Sequence, residues 1–444
     1  MKQRRTSLSS CRLPVNVVID RRRLNHNSNL EDSDMVHLTI LHREHPCLST
    51  STQPVDPSPS ALSRYHAHVR RLTGSISSCP ADQVNNSGPI IANGVPWDYF
   101  SYVTQIQLGT PGRTHSVLID TGSSFPWIMC KSCKEGCDKQ ADPLFDPAAS
   151  STYKQIRCGS SLCTIIPEAT MTRNTCFWYF QSCTYNNKYE DNSTSKGIAS
   201  FDRLMYAKGN MMEAFLFGCT TSFSGIGGQY SGIIGLSANS LSFFSQVSIG
   251  RYKAMSFCLP HPQKTGYLKF GLYEEMDGMQ FSPMFKDGNN YYTHITNIMV
   301  GNDTLYFPLG LGENNTMRCF IDTGTPYTML PDQLFQNLSN AVENNIKGFY
   351  RLHAWAGQTC FQREILWNEE DTDIPAIMIM FEGNATIKLV AEDLWFREDS
   401  GLLCLAFKKG AGGDVVLGSR HMMTTHIVID LEKSAMGLLD HGCA

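Results

Sequence analysis

The residues in this chain best equipped to do chemistry lie in two copies of one short acidic loop, Asp120-Thr121-Gly122-Ser123 and Asp322-Thr323-Gly324-Thr325. Each is entered by an apolar strand, ending Leu118-Ile119 in one case and Phe320-Ile321 in the other. Such a string sets a carboxylate at the tip of a buried strand, lets glycine turn the backbone sharply, and offers a hydroxyl to hydrogen-bond the carboxylate. A single copy reads as an Asx-type turn whose carboxylate satisfies nearby amides. Two copies in the same apolar frame, 202 residues apart, imply loops that face each other and pair their acids.

Two carboxyls about 3 Å apart cannot both ionise, so they hold one shared proton across a range of acidic pH. The ionised member takes a proton from a water while the protonated member donates to a carbonyl oxygen. That water then becomes the nucleophile attacking an amide. Such chemistry calls for no metal, cofactor or covalent intermediate.

Positioning two such loops needs two half-molecules. A chain of 444 residues is too long for a single core, and two lobes after an N-terminal extension fit ordinary domain sizes. The expected division is an extension over 1–90, a first lobe over 97–275 and a second over 276–444. Hydrophobic content of 42%, 35 glycines and short alternating runs between turn clusters predict a mostly antiparallel β protein with few helices. The clearest helix starts at Pro331-Asp332, carries Leu334, Phe335, Leu338, Ala341, Val342 and Ile346 on one face, and stops at Gly348.

Sixteen cysteines place the chain in an oxidising compartment with disulfides, although their order does not fix the pairing. The spacing Cys130-x2-Cys133-x3-Cys137 also admits part of a metal site, but no later histidine pair or short cysteine pair closes a tetrahedral set. Disulfides are therefore expected, and no metal. Asn-x-Ser/Thr triplets begin at Asn85, Asn192, Asn302, Asn314, Asn337 and Asn384, each a glycan acceptor on a surface loop if the chain is secreted. A net charge of −4 and a pI near 6.3 give no sign of nucleic-acid binding, and no segment is long and apolar enough to span a membrane.

Beyond the acidic loops, Tyr102 to Pro111, Trp127, Phe145-Asp146-Pro147 with Ser150 to Tyr153, Phe217-Gly218-Cys219, Gly232 to Leu236 and Cys404 to Phe407 form a recognisable set. With it, the chain resembles the pepsin-type aspartic peptidases, and more closely their cysteine-rich, nepenthesin-like plant branch, from about Tyr102 to Cys443. The resemblance implies a bilobal β fold and a monomeric endopeptidase hydrolysing protein or peptide substrates at acidic pH. Asp120 and Asp322 would be the catalytic pair, supported by Ser123, Thr325, Gly122 and Gly324. In each lobe the aspartate strand would thread past a later apolar-apolar-Gly segment, Ile233-Ile234-Gly235 and Val416-Leu417-Gly418. Eight first-lobe cysteines, Cys130, Cys133, Cys137, Cys158, Cys163, Cys176, Cys183 and Cys219, match the branch in order, as do Cys258, Cys360, Cys404 and Cys443 in the second. Cys319 is extra and reads as a buried apolar residue.

The flap that would cover the scissile bond departs from the branch. Its Tyr-Gly-Asp-Gly-Ser becomes Tyr189-Glu190-Asp191-Asn192-Ser193, keeping Tyr189, Asp191 and Ser193 as substrate-facing candidates beside Trp127 while replacing both glycines. Asparagine tolerates positive φ and glutamate does so less readily, so a flap of altered shape or mobility is expected. Pro126 and Pro326 also stand where they alter the surroundings of the loops, and Pro326 replaces a hydroxyl residue that contacts substrate in the family.

The extension differs in kind, with Ser/Pro-rich runs such as Ser49 to Ser63, and is expected to be largely disordered or removed. Within it, His37 to Arg43 resembles the opening of the family's prosegment. The first 78 residues carry 11 Lys+Arg against 6 Asp+Glu, and the remainder is net acidic. A basic prosegment held on an acidic enzyme loosens as carboxylates protonate, so the chain reads as a zymogen activated by acid, cut between Arg71 and about Trp97. The N-terminus lacks a signal peptide's apolar run: Leu13 to Ile19 is interrupted by Pro14 and Asn16. The expectation is a secreted or vacuolar protein whose coding start lies upstream of Met1, with an organelle transit peptide as the alternative. A second function class is a binding protein on the same scaffold, similar to the plant xylanase inhibitors, which lack a competent acid pair.

Overall fold

The computed structural model describes residues 36–42, 92–93 and most of 101–443, apart from 138–139, 141, 167–180, 208–209, 226–229, 249–251, 262–263, 306, 308–314, 347–348, 356, 364–373 and 398–402. The two aspartate strands, Arg113–Asp120 and Met317–Asp322, are the axes of its two halves. The last six residues of the first are all buried, while the second alternates buried and half-buried positions. Each runs parallel to a later short strand, Gly232–Gly235 or Val415–Gly418, in a register that sets Asp120 beside Gly235 and Asp322 beside Gly418. The strands that return after each acidic loop, Trp127–Met129 and Thr328–Leu330, pair antiparallel with those same segments. The chain thus crosses itself tightly in both halves. Glycine is required at the crossing, because a Cβ on Gly235 would sit 2.5 Å from the Ser123 and Ser124 carbonyl oxygens, and one on Gly418 2.5 Å from that of Tyr327.

Around these axes the structure is a mostly β, bilobal protein with few short helices. A nine-stranded sheet is built wholly from residues 285–418, whereas a fourteen-stranded sheet takes most of its strands from residues 36–270. Three strands from beyond residue 276, Gln280–Pro283, His426–Asp430 and Ala435–Leu439, join that larger sheet through Ala254–Cys258. In its middle lies Val36–His42, the stretch of the extension singled out by sequence, antiparallel to Thr265–Phe270 on one side and Tyr102–Leu108 on the other. Val36, Leu38, Ile40, Leu41 and His42 are buried there. The Ser/Pro-rich run, the expected cut between Arg71 and Trp97, Gly348, Cys176 and the triplets at Asn85 and Asn314 lie outside the described residues, save Ala92–Asn93, a short strand paired with Trp395–Arg397.

The helix read from its periodicity runs Asp332–Asn345, with Pro331 at its N-cap and Leu334, Phe335, Leu338, Ala341 and Val342 buried on the core face. Five disulfides tie the described chain: Cys130–Cys219, Cys133–Cys137, Cys163–Cys183, Cys258–Cys443 and Cys360–Cys404. Cys158 is also disulfide-bonded. Because Cys130, Cys133 and Cys137 all spend their sulfurs in these bonds, the metal reading of their spacing has no thiolate left to use. Cys319 is a buried free thiol whose pKa is raised by burial, which makes it unreactive.

Candidate active site

The duplicated loops meet. Thr121 Oγ1 donates to the Ile321 carbonyl at 2.8 Å and Thr323 Oγ1 to the Ile119 carbonyl at 3.0 Å, so each threonine reaches across to the opposite aspartate strand. Each hydroxyl also accepts the other threonine's backbone N–H, Thr121 N to Thr323 Oγ1 at 3.0 Å and Thr323 N to Thr121 Oγ1 at 2.9 Å. Four buried hydrogen bonds therefore lock the two loops face to face, with every donor and acceptor in the exchange satisfied.

This lock brings each carboxylate over the other loop's glycine. A methyl on Gly122 would lie 2.6 Å from the nearer carboxylate oxygen of Asp322, and one on Gly324 would strike Asp120 at closer range still. Glycine at the third position is thus demanded by the opposing acid, since neither Gly122 nor Gly324 takes a positive φ. Each aspartate receives its own loop's glycine N–H at 2.9 Å, Gly122 N to Asp120 Oδ1 and Gly324 N to Asp322 Oδ1. The fourth residues behave differently. Thr325 Oγ1 donates to Asp322 Oδ2 at 2.6 Å, whereas Ser123 Oγ, although buried beside Asp120, makes no hydrogen bond of good geometry.

Asp120 is only 5% exposed, and burial pushes its pKa well above the usual carboxylate range. The negative charge of Asp322 pushes it further in the same direction; Ser123 opposes these two, and a weaker upward push from a hydrogen bond to Asp322 and a weaker downward pull from the Gly122 amide follow. The pair is thus close enough to share a proton, with Asp120 the member driven to hold it.

The hairpin of Thr184–Lys188 and Thr194–Ala207 carries Tyr189 close enough to Asp120 to feel its charge. Trp127, wholly buried, donates its Nε1 hydrogen to the Tyr189 hydroxyl at 2.6 Å. Burial, and next the Asp120 charge, hold the Tyr189 phenol far above its ordinary pKa, so it stays neutral. Phe223 packs against the Trp127 ring at 5.5 Å and fixes it from behind. At the tip, the Asp191 carboxylate accepts from both the amide and the hydroxyl of Ser193 at 2.8 and 2.6 Å. Those two residues therefore brace the turn. Asn192 takes φ 66°, the left-handed value for which its glycine counterpart was needed, while Glu190 does not have positive φ and is exposed. The tip keeps a tight turn despite losing both glycines, because only one position needed left-handed backbone.

Sequence reasoning missed the support behind the second loop. Thr328 Oγ1 accepts the Gly418 N–H at 3.1 Å and contacts His421 Nδ1 at 2.7 Å, while buried Arg420 binds the Glu392, Asp393 and Trp395 carbonyls. No local string announces these contacts, since the partners are 25 to 93 residues apart. No group of three or more His, Cys, Asp or Glu side chains that could hold a metal ion occurs among the described residues.

Comparison with known proteins agrees with this geometry. The xylanase inhibitor N-terminal family model matches residues 102–272, and the xylanase inhibitor C-terminal family model residues 290–439. The chain is 26% identical over 428 residues to aspartic proteinase nepenthesin-2 of Nepenthes gracilis, covering 91% of this chain and 93% of the relative. It is 24% identical over 414 residues to the aspartyl protease AED1 of Arabidopsis thaliana, covering 91% and 86%. Among solved structures, conglutin gamma, a basic 7S globulin from lupine seeds, superposes with a TM-score of 0.60 at 20% identity over 76% of this chain and 91% of its own. Basic 7S globulin from soybean gives the same score and identity over 79% and 93%. The chain belongs to the plant pepsin-like aspartic protease family.

Proposed function

We propose that the protein is an aspartic endopeptidase that hydrolyses peptide bonds at acidic pH through a water held between Asp120 and Asp322. The observation that carries this reading is the reciprocal threonine lock that sets each carboxylate against the opposite loop. In this mechanism Asp322, held by Thr325 and Gly324, takes a proton from the water. Asp120, which burial and its neighbour keep protonated, donates to the carbonyl oxygen of the scissile bond. Tyr189, neutral and tethered by Trp127, closes over the bond and excludes bulk water. The lobes are assigned to 97–275 and 276–444, with 1–90 as an extension whose basic character suits a prosegment. The crowded disulfides suit a secreted or vacuolar location, where the exposed triplets at Asn192, Asn302 and Asn384 would accept glycans.

Cleavage of a denatured protein at acidic pH tests the reading. The expected result is hydrolysis that a pepstatin-type inhibitor blocks and that Asp120→Asn and Asp322→Asn each reduce by at least about a thousandfold. Correctly disulfide-bonded protein that cleaves nothing would support a second reading, a binding protein on the same scaffold. The unbonded Ser123 hydroxyl and the match to xylanase inhibitor family models favour keeping that second reading in the test.

A further inference from the structure

The Val415–Gly418 strand does more than border Asp322. The next residue, Ser419, donates its N–H to the Thr325 carbonyl at 2.8 Å, and Thr325 in turn holds Asp322. On the other side Gly418 donates its N–H to Thr328 Oγ1, which lies 2.7 Å from His421 Nδ1. A continuous path of hydrogen bonds and covalent steps therefore runs from His421 through Thr328, Gly418, Ser419 and Thr325 to one catalytic carboxylate.

Which atom holds the hydrogen between Thr328 and His421 follows from counting. The threonine hydroxyl has one hydrogen to give, and one of its lone pairs is already taken by Gly418. If the imidazole were the donor at Nδ1, both the hydroxyl hydrogen and the bare Nε2 would be left without partners in a buried site. If the hydroxyl is the donor, only Nε2–H is left over, and Nε2 is indeed the buried ring nitrogen without a partner. One orphan costs less than two. His421 is thus a neutral acceptor, 1% exposed, with the Phe407 ring 4.3 Å away. The charged neighbour is Arg420, with the Asp393 carbonyl nearby as a weaker opposing dipole. Burial and that arginine both disfavour the imidazolium and lower its pKa to about 3.

The first lobe solves the same problem without a titratable group. There Ser237 donates its N–H to the Ser123 carbonyl at 3.1 Å, and the Ser124 and Ser237 hydroxyls bond each other at 2.9 Å. A hydroxyl pair has no charge to gain as pH falls. The second lobe has traded it for an acceptor that acid can destroy.

We propose that His421 is a positioning residue for Asp322, acting as an uncharged hydrogen-bond acceptor that fixes the Gly418–Thr325 crossing, and that its protonation sets the lower pH limit of activity. This rests on the reading of the protein as an acid peptidase. Loss of the acceptor frees Thr328, loosens the Gly418 strand, and lets Thr325 and its carboxylate drift from the water they must hold. Displacements of this order are costly to the chemical step while leaving the peptide groove intact.

The test compares kcat and KM for wild type, His421→Gln, His421→Phe and Thr328→Val on a short peptide between pH 2 and 6, with folding of each checked by circular dichroism. His421→Gln keeps a carbonyl acceptor and has no basic site, so it should retain wild-type kcat at pH 5 and extend activity to lower pH. His421→Phe and Thr328→Val, folded, should lose kcat about ten- to a hundredfold with KM changed less than about threefold. The proposal is overturned if His421→Gln shows the same acid limit as wild type, or if folded His421→Phe keeps full kcat. If wild type itself is inactive while folded, the peptidase reading fails instead, and the two failures are told apart by that control. Should both apolar variants fail to fold, the acid limit of His421→Gln alone decides.

Discussion

The two acidic loops share a sequence plan and a threonine lock, yet they hold their carboxylates differently. Asp322 has a well-formed hydroxyl donor from Thr325 as well as the Gly324 amide, whereas at Asp120 the Gly122 amide donates but the Ser123 hydroxyl, although it pulls the Asp120 pKa down, reaches no good hydrogen-bond geometry. Asp120 is also the more deeply buried of the two. Donors stabilise a carboxylate and burial destabilises it, so both differences drive the shared proton toward Asp120. A near-symmetric frame thus yields an asymmetric pair, with an acid on one side and a base on the other.

The sharpest way to break that frame is to fill the space that both loops need. Gly122→Ala and Gly324→Ala each put a methyl into the opposite carboxylate, so each should cut kcat about a hundredfold or more and destabilise the fold by about 1–3 kcal/mol. Denaturant melts and steady-state kinetics on the purified variants read both effects. If either alanine variant is fully active, the loops are not in contact.

The asymmetry itself is probed by removing the two hydroxyls. Thr325→Ala takes a formed hydrogen bond from the base and should lower kcat about tenfold, while Ser123→Ala removes none and should change it less than about threefold. Equal losses would mean that the serine closes onto Asp120 when substrate binds.

Stability should carry the same signature. A carboxyl whose pKa is raised in the folded state binds its proton more tightly there than when unfolded. Its contribution is full below the unfolded value near 3.9 and is lost as pH rises through the raised one, at about 1.4 kcal/mol per unit of displacement. Asp120→Asn removes the group and should flatten this slope, leaving the variant more stable than wild type at neutral pH and no more stable near pH 3. Thermal melts across that range check the sign.

The flap should respond least. Glu190 is exposed and lies outside left-handed backbone, so Glu190→Gly should alter kcat/KM less than about twofold.

What the sequence made legible was what it wrote locally. The acidic loops, the apolar-apolar-Gly strands, the periodic helix and the flap tyrosine each sit in a short string whose chemistry points to one use. The expectation of an altered flap shape came from counting two lost glycines, but the turn needed left-handed backbone only at Asn192, which supplies it. Contacts between distant strings were not written in this way. Cysteine order left the pairing open until the strands brought Cys258 to Cys443 and Cys130 to Cys219. His421 looked like any residue after a strand, and its role exists only because Thr328, 93 positions earlier, folds beside it. Val36–His42 similarly gave no sign that it would lie in the middle of the largest sheet, since that place depends on its two neighbours there.

The account depends most on a proton shared by Asp120 and Asp322, and the pH dependence of kcat/KM for peptide cleavage tests this directly. The predicted result is a bell whose basic limb lies above the ordinary carboxylate range and reports loss of the proton on Asp120. A folded, fully disulfide-bonded protein that shows no cleavage at any pH, or a rate that keeps rising through neutral pH, would contradict it.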